Sequence, residues 1–120
     1  MTRRHPEQDL QRAVAEFLDL ALPRPDAWWT TIPAGGGGKV RGAFLKAAGL
    51  KAGVPDILII WRGRAYWIEL KSWAGKPSPA QVEVRNMLRL AGCSAEIART
   101  VTDVELWCLG WGIPLRGRLT

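Results

Sequence analysis

Apolar and polar positions alternate along this chain with two periods, and the switches between them mark its elements. Over residues 6–21, Leu10, Val14, Phe17, Leu18 and Ala21 recur at helical spacing and form one apolar stripe, with Pro6 suited to the first helical position. Pro23 and Pro25 break the chain, and residues 28–32, rich in aromatic and β-branched types, read as a short strand. Residues 40–48 predict a short helix closed by Gly49. Residues 57–61 are apolar on both faces, the pattern of a central strand buried on both sides. After a tight turn the period is two again: Tyr66, Ile68 and Leu70 point to a core, and Trp67, Glu69 and Lys71 point the other way. Ser78-Pro79-Ala80-Gln81 is a helix start, with Ser78 as N-cap and Gln81 completing a capping box. The helix over 79–91 is expected to bury Ala80, Val84, Met87, Leu88 and Ala91, to present Glu83, Arg85 and Arg89 outward, and to stop at Gly92. Residues 93–98 predict a further strand. A last helix opens at Thr102-Asp103-Val104-Glu105 and carries Leu106, Trp107 and Leu109. His5 falls in an expected flexible tail, and residues 115–120 predict no element.

At 120 residues, with no repeat and no composition break, the chain is expected to be one domain, 1–120. No apolar run approaches the ~20 residues of a membrane span, and no apolar segment follows the basic N-terminus, so neither a membrane partner nor a secretion signal is expected. Cys93 and Cys108 form no C-x-x-C pattern and read as reduced thiols of a cytoplasmic chain. Seventeen Lys and Arg against eleven Asp and Glu give +6, which favours a polyanionic partner, most simply nucleic acid. The seven tryptophans suit a core, a subunit interface or contacts with bases.

The chemistry concentrates between Gly53 and Lys71. Pro55 cannot donate to a central ladder, so it marks the start of the strand and fixes the approach to Asp56. An aspartate at the mouth of a buried strand is costly unless a cation or hydrogen bonds satisfy it. Strands joined by a short turn run antiparallel, which brings Asp56 beside Glu69 and Lys71. Asp56 shares a face with Glu69 only if paired residue numbers sum to an odd value, which a turn at Arg62-Gly63 or over 62–65 provides. Two carboxylates and an ammonium at one sheet end make a divalent-metal site with an adjacent cation, as phosphodiester hydrolysis needs.

Glu7 has two readings: a carboxylate favoured by the helix dipole, or an acid leaning over this site. Residues 33–42, P-A-G-G-G-G-K-V-R-G, resemble a phosphate loop only superficially. Pro33 stands where the first glycine belongs and Val40 where Ser or Thr belongs, so no nucleotide cofactor is expected. The four glycines suggest a mobile segment. Lys39, Arg41, Lys46, Lys51, Arg62, Arg64 and Lys76 are candidates for phosphate contacts, each also readable as a solvated surface charge.

The motifs in their order, E-x-x-x-Q at Glu7 and Gln11, G-L-K-A-G-V-P-D at 49–56, I-E-L-K at 68–71 and S-P-A-Q at 78–81, resemble the virus-type replication-repair nuclease (VRR-NUC) domain of the PD-(D/E)xK nuclease superfamily. The resemblance runs from Glu7 to about Glu105. It implies an α/β, restriction-endonuclease-like core, α-β-(α)-β-β-α-β, with a central mixed sheet flanked by helices. It implies a DNA endonuclease dependent on Mg²⁺ or Mn²⁺ and acting on branched DNA, either as a dimer resolving four-way junctions or as a flap nuclease. The alternatives are an inactive DNA-binding module and an interaction protein that uses its tryptophans and basic surface without cutting. By the same resemblance Asp56 and Glu69 bind metal; in the mechanism this suggests, Glu7 joins them directly or through water and the backbone carbonyl of Leu70 adds a further ligand. Lys71 is the catalytic lysine, Glu7 matches the first-helix acid, and Gln81 the glutamine near the site. Family members often carry an asparagine by the glycine loop; Ala34-Gly35 stands there instead.

Overall fold

Among the described residues, 5–32 and 38–120 of a computed structural model, eight elements follow one another: α1 (Pro6–Ala21), β1 (Ala27–Thr31), α2 (Gly38–Ala47), β2 (Ile57–Trp61), β3 (Arg64–Leu70), α3 (Pro79–Leu90), β4 (Ser94–Ala98) and α4 (Val101–Gly110). Residues 33–37, which hold Ala34-Gly35 and most of the glycine run expected to be mobile, and the residues before His5 lie outside this description; the last glycine of the run, Gly38, opens α2. His5 is not part of a tail; it is the N-cap of α1, and its carbonyl accepts the Asp9 N–H at 2.9 Å.

The strands form one mixed sheet in the order β1-β2-β3-β4, with β1–β2 and β2–β3 antiparallel and β3–β4 parallel. The β2–β3 connection is the two-residue turn Arg62-Gly63, with φ of 51° and 76°. Both signs are those of a type I′ turn, whose twist matches that of the strands. Arg62 pays a steric cost there that a glycine would not, and its guanidinium lies 5.0 Å from the centre of the Trp61 ring. The turn fixes the register as Ile57↔Ile68, Leu58↔Trp67 and Trp61↔Arg64. Those pairs sum to an odd number, so continuing the register by one residue sets Asp56 opposite Glu69.

Ile57, Ile59, Tyr66, Ile68 and Leu70 face Val14, Leu18 and Leu22 from α1 and its end, and Val104 and Cys108 from α4. Each such side chain contributes roughly 1.5–3 kcal/mol by leaving water. Trp111 packs on Tyr66 at 4.9 Å between ring centres, and Trp107 stacks on Trp111 at 6.3 Å. The Trp107 indole also donates to the Ile97 carbonyl at 2.9 Å. These two tryptophans are therefore engaged within the chain.

Three expectations need correction. Residues 57–61 are not buried on both faces: Leu58 and Ile60 are only half-covered. The reason is placement, since α1 and α4 pack together over the core face and α3 packs on β4. α3 buries no residue completely, Met87 is 56% exposed and Ala91 is exposed, while Arg85, expected outward, is half-buried. Its half-buried residues are Ala80, Gln81, Val82, Val84, Arg85 and Leu88. α4 begins a half-turn earlier than expected, with Thr100 as N-cap and Asp103 completing a capping box. Glu105 is fully buried and accepts from the Leu119 N–H and, at 2.6 Å, the Thr120 hydroxyl. The Thr120 hydroxyl holds its carboxyl below the usual range. The segment for which no element was predicted is thus tied back onto α4, and the Arg116 N–H also donates to Ala21 at 2.7 Å.

Candidate active site

The alternation along β2 and β3 sets the site's geometry. Ile32 donates to the Asp56 carbonyl, so the backbone of Asp56 faces β1 and its carboxylate is free to turn to β3. There it accepts the Leu70 N–H at 2.8 Å. Leu70 directs its N–H and carbonyl to the same neighbouring strand. In the continued register the residue opposite is Pro55, which has no N–H. Asp56 therefore takes the donor that the ladder leaves, and the Leu70 carbonyl has no ladder donor facing it.

Glu69 lies opposite Asp56 and is only 5% exposed. Its Oε1 accepts from the Gln81 side-chain amide, and its Oε2 is buried without a hydrogen-bond partner among the described residues. Burial first, and then the neighbouring Asp56 charge, push the Glu69 carboxyl up to about 8. Burial also raises Asp56, against the pull of the Leu70 N–H. Two carboxylates in one enclosed place each make the other's charge more costly. Lys71 lowers both acids by its charge but makes no direct ion pair with either; the ion pair found among the described residues is Arg89–Glu96 at 2.8 Å.

Gln81 carries two tasks. Its Oε1 accepts the Ser78 N–H at 2.9 Å in the capping box, while its Nε2 reaches Glu69. The helix start is held against the Asp56 loop by a close approach at Gly53. A Cβ there would lie 2.7 Å from the Gln81 nitrogen and closer still to the Ala80 carbonyl, and φ is +86°. Only glycine meets both conditions.

Glu7, in the first turn of α1, sits at the rim. Its Oε1 accepts the Ser72 N–H at 3.4 Å, and its charge raises Asp56. Among the described residues no three His, Cys, Asp or Glu gather closely enough to make a metal cage by themselves. The orphaned Glu69 oxygen, the Asp56 carboxylate and the unopposed Leu70 carbonyl still form a hard-oxygen set with no cation paired directly to it among the described residues. That set suits Mg²⁺ or Mn²⁺, since Mg²⁺ is usually bound through one or two carboxylates with water and substrate phosphate supplying the rest.

Lys39 and Arg41 near the start of α2, Lys46 near its end, Lys51 beyond it and Lys76 before α3 are candidates for the phosphate footprint, and Arg41, Lys46 and Lys51 are exposed. Lys46 and Lys51 line one cavity of about 350 Å³ with Leu45, Leu50 and Gly53. Arg62 and Arg64 are at the other end of the hairpin, five residues or more along β3 from Glu69, roughly 17 Å at strand spacing. They do not join the site.

No family model and no curated protein matches the sequence. Solved structures do match in three dimensions. One described as a "VRR_NUC domain protein" has a TM-score of 0.67 over 92% of this chain and 90% of its own, at 24% sequence identity. Another, a "VRR_NUC domain", has a TM-score of 0.60 over 90% of this chain and 99% of its own, at 20% identity. This chain has the VRR-NUC fold. The α/β architecture with its mixed sheet is that of these structures, and the VRR-NUC likeness spans nearly the whole chain. At such identities it speaks for architecture; the chemistry rests on the residues above.

Nothing in the sequence pattern singles out Arg99, yet it stands next to Ala98, whose carbonyl accepts the Lys71 N–H at 3.0 Å. The signal would have been the parallel pairing of β3 and β4, which sets the ends of two strands side by side in the manner that places ligands at strand C-termini.

Proposed function

We propose that this chain is a cytoplasmic, metal-dependent, structure-selective DNA endonuclease that hydrolyses phosphodiester bonds in branched DNA, acting as a homodimer on four-way junctions. The observation that carries the reading is the Asp56–Glu69 pair, two acids brought to one sheet end by the β2–β3 register, with Lys71 beside them. The likeness to solved VRR_NUC domains and the +6 charge support it. A junction needs two symmetric incisions, and a two-fold pair of chains supplies two sites.

Asp56, Glu69 and the Leu70 carbonyl would hold Mg²⁺ or Mn²⁺, with Glu7 acting through water. Such an ion supplies Lewis-acid stabilisation of charge on the phosphate. Lys71, unpaired with either acid, is free to neutralise charge growing on the phosphate oxygens and to orient the attacking water. Gln81 holds the rotamer of Glu69, and the Leu70 N–H holds that of Asp56. Lys39, Arg41, Lys46, Lys51 and Lys76 bind flanking phosphates.

The test incubates labelled four-way junctions, flaps, linear duplex and single strands with the protein in Mg²⁺, Mn²⁺ or EDTA. Symmetric junction cuts are expected with metal only. Asp56→Asn and Lys71→Ala should abolish cleavage while circular dichroism shows the fold intact. Normal turnover by either variant would refute the assignment. Retained junction binding without any cleavage by the unaltered protein would make it a binding module.

A further inference from the structure

We propose that Arg99 is a positioning residue for the reaction, bracing the 72–75 loop so that Lys71 and Glu7 stay on the acid pair. The proposal rests on the nuclease reading above. Arg99 directs one nitrogen, Nη1, at three carbonyls of that loop: Ser72 at 2.7 Å, Gly75 at 2.7 Å and Trp73 at 3.2 Å. Nη1 carries two hydrogens, so the two short bonds take them and the Trp73 contact is shared. A guanidinium keeps its charge at any working pH and its planar fork is preorganised, so such a brace loses little entropy on forming.

Both ends of the brace are fixed. On the β4 side, the Arg99 N–H donates to the Asp103 carboxylate at 2.8 Å, and Asp103 is in turn locked in the α4 capping box. On the other side, the loop begins at the residue after Lys71, whose N–H is tied to Ala98, the neighbour of Arg99. The same loop carries the Ser72 N–H that meets Glu7. Gly75 closes the turn by donating to the Ser72 carbonyl at 3.0 Å, and a Cβ on Gly75 would lie 3.4 Å from Glu7 Oε1 and 3.1 Å from the Ser72 hydroxyl. One arginine therefore sets the path of the chain leaving Lys71 and the seat of Glu7, while touching neither acid of the pair.

The experiment compares unaltered protein with Arg99→Ala, Arg99→Lys and the double variant Arg99→Ala/Glu7→Gln. Amide exchange reads the loop without any need for activity. In Arg99→Ala the Ser72 and Gly75 amides should lose protection while β2 and β3 amides keep theirs. Cleavage reads the site: kcat should fall about 10–100-fold with KM little changed, as for other residues that act through a ligand. Arg99→Lys should recover part of both, because an ammonium can still serve the carbonyls. The double variant should lose no more than the worse single one if Arg99 works through Glu7. Unchanged loop exchange, or unchanged kcat, in Arg99→Ala would overturn the proposal. So would additive losses together with a changed KM. Should Arg99→Ala not fold, Arg99→Lys decides by the same two readouts. A protein that cuts no DNA at all would defeat the nuclease reading, whereas the exchange result would still decide whether Arg99 braces the loop.

Discussion

Replacing Glu69 by glutamine in metal-free protein should stabilise it, and increasingly so as pH rises. Glu69 moves from 4.5 to about 8 on folding, so between those values the native state holds a proton that the unfolded chain has released. Its stabilising contribution is complete below pH 4.5 and is lost as pH rises through about 8. At about 1.36 kcal/mol per pKa unit, the metal-free fold loses roughly 3 kcal/mol to this group at pH 7 and about 5 kcal/mol above pH 8. The Glu69→Gln variant would escape that loss. The carbonyl of the substituted amide still accepts from Gln81, and its NH₂ can donate to Asp56. Near pH 5 the variant and the parent should differ by under about 1 kcal/mol. For a chain of 120 residues the pH 7 difference corresponds to a Tm higher by roughly 10 °C. The assay is thermal and urea unfolding of both proteins in EDTA at pH 5, 7 and 8.5. Mg²⁺ at a hundredfold its Kd should then return about 2.7 kcal/mol to the parent and much less to the variant. A variant no more stable than the parent at pH 8.5, or a difference that does not grow with pH, would refute the account of the acid pair.

Three further outcomes separate the tasks of neighbouring residues. Ser78→Ala should cost about 1 kcal/mol in urea unfolding, the usual loss of an N-cap, and leave kcat unchanged. Gln81→Ala should cost a similar amount and also reduce kcat about tenfold or more, because the Glu69 rotamer goes with it. Gly53→Ala should cost at least about 2 kcal/mol by the same measurement, since a left-handed backbone and a collision with Ala80 add together.

The hairpin was legible because Gly63 and the period-two pattern leave few turns, and each acceptable turn puts Asp56 on the Glu69 face. The α3 cap was legible because Ser78, Pro79 and Gln81 signal it locally. What stayed hidden depended on partners far away in sequence. Leu58 and Ile60 are as apolar as Ile57, and only the placement of the helices tells which of them meets a core. The buried state of Glu105 depends on residues 119–120, in a segment with no periodicity. Met87 looks like a core residue by type but is exposed on α3. Arg99 had no motif around it, and its importance follows from strand order alone.

Surface turns are ordinarily where a protein absorbs inserted residues at least cost. The Arg62-Gly63 turn is an exception, although roughly 17 Å of strand separates it from the acids. One added residue, unless taken up as a bulge, would exchange the two faces of β3, sending Glu69 in among the isoleucines and Ile68 out to the face of Asp56. Two would restore the original faces. Length variants of this hairpin can keep the acid pair together only in even steps, so a solvent-exposed loop far from the acids is as closely policed as the carboxylates themselves.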